Sequence, residues 1–361
     1  MRLIHFVAWR DWGVIRTNPV LENTFVFFYL VLYHQYPLGE IATDLAMLLG
    51  LVFFMASYGY LLNDAVDCER DLGHRIPNVF AETRLPVRLA VVLAAMLGML
   101  PFVARLQAHH PLLLGTWLAW FACTSLYSLP GIYLKGRGLI GLVAVALALR
   151  TLPIAIVLTI FGRPPDAGWI ILLGYLTLRG LSGDLSHQLT DWREDHADGL
   201  GTFVVRIGVD RARVLLDRIL EAERIALVLT CVWMFGTLTQ VRDWPRPIDL
   251  MHFAIPCSVT LLTIYAGVEL RRGARGHDPH APEYLVKDVF YLLHKSIPKI
   301  GLATYLLALA IAQDPGYLVL AVPLAVYFRL YSVRRVASAL RLRPHPRTRE
   351  LQDPDRTSRL P

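Results

Sequence analysis

The chain reads as an all-α polytopic membrane protein with nine or ten transmembrane helices. Three observations predict this. Of 361 residues, 55% are hydrophobic and only 18% are charged, against about 25% charged in an average soluble domain. Mean hydropathy is +0.45. The chain also contains apolar runs at 20–37, 43–63, 85–106, 111–129, 139–161, 167–188, 222–240, 250–270, 298–313 and 316–332. Most approach the roughly 20 residues that an α-helix needs to cross a bilayer, while the last two are short, which leaves nine or ten crossings.

In chain order, residues 1–19 are basic and aromatic (Arg2, Trp9, Arg10, Trp12, Arg16) and read as an interfacial segment, not a cleavable signal. Residues 20–333 carry the spans, and 334–361 form a basic, Pro-rich tail whose composition predicts disorder. The net charge of +7 does not imply nucleic acid, because Lys and Arg gather in short loops as they do on the cytoplasmic side of membrane proteins. Lys135 and Arg137, then Arg271, Arg272 and Arg275, then the tail agree with one orientation, which places the candidate site on the cytoplasmic side. Cys68, Cys123, Cys231 and Cys257 have no C-x-x-C spacing, so neither a disulfide framework nor a zinc site follows from them.

Two stretches carry the chemistry. The first, Leu61–Asp71, closes an apolar run. At about 100° per residue, Asp64 and Asp71 fall within roughly 20° of each other and Asp67 about 60° away. Asn63 lies one turn before Asp67. Carboxylates this close repel, and a divalent cation relieves that repulsion; hard oxygen ligands suit Mg2+, which shares its shell with water and substrate phosphates. Taken alone, the stretch also reads as a solvated acidic helix end. The second stretch, Asp184–Asp198, changes the balance. Asp184, Asp195 and Asp198 fall within about 40° of Asp191 on a helical wheel, and His187 precedes Asp191 by one turn.

Charges within apolar runs cost on the order of 3 kcal/mol each. Arg150, Arg179 and Asp184 are such charges, and the expectation for Arg150 is either a pair with Asp184 or a contact to a phosphate. Two carboxylate clusters at a membrane surface suit a diphosphate bridged by Mg2+, with an apolar interior for a lipid tail and aromatic faces for an allylic cation. A membrane-embedded terpene cyclase, phosphoribosyl or glycosyl transfer to a lipid phosphate, and a transporter with acidic gates are the competing readings. The transporter fits worst, since these acids sit at span ends and not at the midplane.

Asn63-Asp64-x-x-Asp67-x-x-x-Asp71 resembles the first Asp-rich motif of the UbiA superfamily of intramembrane prenyltransferases. Asp191-x-x-Glu194-Asp195-x-x-Asp198-Gly199 resembles the second, followed by Val204-Val-Arg206-Ile-Gly208. Tyr127-Ser-Leu-Pro130-x-x-Tyr133-Leu-Lys135-Gly-Arg137-Gly138 is similar to the connection after the fourth span. The resemblance implies a helical bundle around a central cavity. It also implies Mg2+-dependent transfer of a polyprenyl group from its diphosphate to a small, often aromatic acceptor. Asn63, Asp64, Asp67, Asp71, Asp191, Asp195 and Asp198 would be the metal set. Asp67, Asp191, Tyr127 and Lys135 would be catalytic, with Asn63, Tyr133, Lys135 and Arg137 on the substrate; Arg150, as a midspan charge, and His187, one turn before Asp191, join the substrate set by position and not by the resemblance. The family's Lys and Arg-Pro after the first motif are replaced here by Leu72-Gly-His74-Arg75-Ile-Pro77, with Arg75 as the substitute basic contact.

Overall fold

In hydrocarbon, every backbone N–H and C=O must find its partner within the segment, so long apolar runs become helices. The computed structural model describes residues 18–74, 78–81, 83–162, 167–272, 278–280 and 288–327. Among the described residues the regular structure is helical, with one isolated bridge, Gly138 to Thr202, and no strand. The interfacial segment lies outside them apart from its last residues, and so do Arg75 and the tail.

A four-residue turn, α1 (Pro19–Glu22), is capped by Asn18, whose Oδ1 accepts from the Val20 amide at 3.1 Å. It leads into α2 (Thr24–His34), whose central residues are all buried. Then come α3 (Leu38–Gly73), α4 (Leu85–Gln107), α5 (Leu113–Ser128) and α6 (Leu139–Phe161), the last with a π turn at Leu147–Thr151. The second half holds α7 (Ala167–Ala197), the short α8 (Phe203–Ile207), α9 (Val209–Val241), α10 (Arg246–Arg271), α11 (Val289–Gln313) and α12 (Leu318–Tyr327). The apolar run expected at 298–313 is the end of a longer helix that begins at Val289. Among the described residues five helices, α3, α4, α6, α10 and α11, are long and apolar enough to cross a membrane.

Packing follows the small residues, as expected where lipid gives helices no hydrophobic reason to associate. Phe54 of α3 rests on Gly98 of α4 and Phe102 of α4 on Gly50 of α3; a Cβ at either glycine would lie 2.3 Å from the opposing ring. The two rings are 5.8 Å apart. Outward positions stay apolar (Leu93, Leu97, Ile170, Phe253, Leu261), the inverse of a soluble surface, so the chain is an integral membrane protein. Beside the main core, Leu142, Leu185, Val204, Ala212, Leu216 and Leu220 form a second apolar cluster. This cluster clamps α8 and the start of α9 onto the end of α7, and so fixes the second acidic stretch.

Candidate active site

Both acidic stretches are the ends of unusually long helices. Helix α3 runs 36 residues and α7 runs 31, about 54 Å and 46 Å at 1.5 Å per residue. Both are longer than the roughly 30 Å of a hydrocarbon core. Those ends meet at one cavity of about 620 Å³. Its polar end is lined by Asn63, Asp67, Arg70 and Asp71 from α3 and His74 just past its end, and by Asp184, His187, Gln188, Asp191, Glu194 and Asp195 from α7 and Asp198 just past its end, with Lys135 and Tyr127. Its other walls are largely apolar or aromatic, including Val52, Met55, Trp120, Val145 and Leu149.

Asp67 is the hub. It is 4% exposed. Lys135 Nζ donates to its Oδ2 at 2.5 Å, the Tyr133 hydroxyl donates to Oδ1 at 3.1 Å, and Arg70 Nη2 lies 2.7 Å from Oδ2. Arg70 Nη1 in turn donates to the Tyr133 oxygen at 3.0 Å. Burial and the Asp67 carboxylate push the Tyr133 phenol up to about 12, so it remains a donor. Two basic groups of α3 reach across to α7: His74 Nε2 is 2.8 Å and Arg70 Nε 3.8 Å from the Asp198 carboxylate. The Asp71 carboxylate accepts from Asn78 Nδ2 at 2.8 Å. On α7, His187 Nδ1 stands 3.4 Å from Asp191, and Gln188 Nε2 donates to Asp184 at 2.7 Å.

The loops bearing these groups are stapled together. Arg206 Nε donates to the Gly201 carbonyl at 2.8 Å and its Nη2 to the Gly136 carbonyl at 3.0 Å, while the Gly138 amide donates to Gly201 at 3.0 Å. Gly138 has φ +62°, and a Cβ there would sit 2.8 Å from Arg206 Cδ, so only glycine fits.

Several expected residues lie elsewhere. Asp64 is fully buried and is not on the cavity wall. Arg137 is exposed and donates to the carbonyls of Ile132 (2.6 Å) and Gly131, bracing its own loop instead of facing the cavity. Arg150 pairs with Glu22, not Asp184, and does not line the cavity. Glu22 also accepts from Lys299 Nζ at 3.0 Å. Tyr133 acts on the cavity through Asp67 and Arg70. Arg70 and His74, outside the expected site set, also line the cavity, on the Asp67 side at i+3 and i+7.

The described helices form a membrane bundle around an acid-lined cavity with largely apolar remaining walls. The model of the UbiA prenyltransferase family matches residues 24–277, and the chain belongs to this family. Its fold is that of a UbiA homolog from Archaeoglobus fulgidus. The structure of that homolog bound to GPP and Mg2+ aligns with a TM-score of 0.55 at 16% identity, over 83% of this chain and 99% of that one. Its DMAPP- and Mg2+-bound structure gives 0.54 at 16% identity over the same shares. Among curated proteins there was no match.

Proposed function

We propose that the protein transfers a prenyl group from its diphosphate to a small acceptor, with Mg2+ held between the two acidic helix ends. The observation that carries this is the convergence of both acidic rows on one cavity whose remaining walls are largely apolar and aromatic. Family membership, and the related structures bound to Mg2+ with GPP or DMAPP, support the same reading.

The donor set fits the metal. Asn63, Asp67, Asp71, Asp191, Asp195 and Asp198 offer only oxygen, which suits a hard cation that keeps water and phosphate in its shell. Burial raises the Asp195 carboxyl above its ordinary range, a shift that a nearby cation reverses. When bound, Mg2+ neutralises the diphosphate and stabilises the charge that grows on it as it leaves.

The chain's own residues do the rest. Lys135 and Arg70, resting on Asp67, are placed to turn to phosphate oxygens once a cation takes over the carboxylate. Met55, Val52, Val145 and Leu149 enclose the prenyl chain and keep water from the allylic centre. The aromatic rings of Tyr127 and Trp120, both lining the cavity, are suited to steady developing positive charge. The acceptor is read as small and aromatic, the site as facing the cytoplasm, and the chain as crossing the membrane nine or ten times.

The test is to incubate the purified protein in lipid nanodiscs with labelled prenyl diphosphates of several lengths, with and without candidate aromatic acceptors. Diphosphate release that stops with EDTA and resumes with Mg2+, coupled to acceptor labelling, is the expected result. Release that yields a hydrocarbon or alcohol without any acceptor would instead make the protein a cyclase. No metal-dependent release from any donor would overturn the reading.

The Arg206 staple gives a finer prediction. Two hydrogen bonds worth about 1 kcal/mol each position the Lys135 loop. Arg206→Ala should therefore raise KM for the diphosphate by roughly ten-fold or more, as read by steady-state kinetics. An unchanged KM would show that the loops keep their place without it.

A further inference from the structure

A second polar cluster is buried on the other side of α7, between α7, α9 and α11, and its residues do not line the acid-lined cavity. Glu223 is 3% exposed and His294 5%. Ionisable groups inside a membrane bundle are costly and mark function by default. Glu223 Oε1 lies 2.5 Å from His294 Nδ1. Ser182 donates to Glu223 Oε2 at 2.6 Å and stands 3.0 Å from His280 Nε2. The two imidazole rings meet edge to face at 4.1 Å. One ligand atom from each of Glu223, His280 and His294 lies within 4.8 Å of the other two. His294 is delivered by the π-helical stretch Leu292–Leu302, a geometry that is rare and frequent at functional sites.

We propose that Glu223, His280 and His294 form a second metal site, selective for a borderline transition ion of the zinc class. Two imidazole nitrogens and one carboxylate are a zinc donor set, distinct from the all-oxygen set of the main cavity. The surrounding charge favours the same class. Arg179 Nη1 stands 3.6 Å from Glu223, and Lys295 is also within electrostatic range of Arg179 and Asp278. Asp278, which accepts from the His280 amide at 2.9 Å and from the Ser186 hydroxyl, offsets the second of these cations. A hard ion held by charge alone gains little beside two cations, whereas an ion that bonds strongly to imidazole gains most of its affinity from nitrogen. Ser182 orients the carboxylate, the supporting contact that ligated groups usually have. The bound ion would tie residues 278–280 to α7, α9 and α11, and the inference stands independently of the prenyl-transfer reading.

The test loads full-length protein in detergent with Zn2+, dialyses it against excess Mg2+ and measures retained metal by mass spectrometry. The visible ligand-field spectrum of Co2+-loaded protein gives a second readout. About one equivalent of zinc should be retained by the parent and by the Asp67→Asn/Asp191→Asn double variant. It should be lost from His280→Ala, whose half-buried position makes a folded variant obtainable, as a size-exclusion profile matching the parent would establish. Parent protein that keeps no zinc, zinc that survives His280→Ala, or zinc that disappears with the aspartate pair would each overturn the proposal.

Discussion

Asp67→Ala is expected to reduce diphosphate turnover by at least a hundred- to a thousand-fold. The estimate follows from losing one preorganised electrostatic contact at a reacting centre, about 3–4 kcal/mol. Asp67 receives Lys135, Tyr133 and Arg70 at 2.5, 3.1 and 2.7 Å, so its loss releases the whole basic arrangement as well as a proposed metal ligand. Arg70 keeps Asp198 at 3.8 Å and Asp71 at 4.0 Å, and the helix should therefore still insert and fold. Asp191→Ala should behave alike from the opposite wall. Asp64→Asn is the internal control. Its side chain is off the cavity, so any loss should appear as lower thermal stability with an unaltered Mg2+ dependence. Single-turnover release at saturating Mg2+ separates these outcomes. Near-normal turnover in Asp67→Ala would sink the metal model, and a shifted Mg2+ dependence in Asp64→Asn would return that residue to the metal set.

The helical wheel explains both what could be read from the sequence and what could not. Four acids of the second stretch, Asp184, Asp191, Asp195 and Asp198, share one face and all reach the cavity, because α7 presents that single face to it. On the first stretch the wheel brings Asp64 and Asp71 together, yet only Asp71 lines the cavity. The cavity face of α3 centres on Asp67, Arg70, His74 and Asn63, and Asp64 lies about 60° off Asp67 on the side away from them. Asn78 packs on this side of α3: its amide bonds the Asp64 carbonyl at 2.9 Å and the Asp71 carboxylate at 2.8 Å. A wheel gives azimuth and not the neighbour at each height. The connection at 127–138 was legible in composition, but the inward turn of Lys135 and the outward turn of Arg137 depend on Tyr133 at φ 43° and Gly138 at φ 62°. Backbone angles of that kind leave little trace in residue type beyond the glycine. Helix existence followed directly from apolar length. The partner of Arg150 did not, since Glu22 is one acid in a four-residue turn more than 100 positions away in the chain.

Arg150→Ala is expected to lower folded yield and thermal stability, with any surviving protein retaining its affinity for diphosphate. Sequence alone left two outcomes open, a phosphate contact or a structural pair. The pairing of Arg150 with Glu22, off the cavity wall, favours the second. Glu22 sits at the end of α1, Arg150 on the π turn of α6 and Lys299 on the π stretch of α11, so three separate parts of the bundle are pinned by one carboxylate. Breaking a buried pair strands the remaining charge and costs about 3–5 kcal/mol, a large share of a typical folding free energy of roughly 5–15 kcal/mol. Lys299, 3.0 Å from Glu22, should offset part of this, which places the expected loss near the lower bound, about 3 kcal/mol. The triple variant Glu22→Gln/Arg150→Met/Lys299→Met discriminates further: removing all three charges should restore stability relative to Arg150→Ala, because no unpaired charge of this cluster remains. Thermal unfolding in detergent, followed by diphosphate titration of whatever remains folded, reads both quantities. A stable Arg150→Ala protein with diphosphate affinity weakened ten-fold or more would reverse the assignment and bring Arg150 to the phosphate after all.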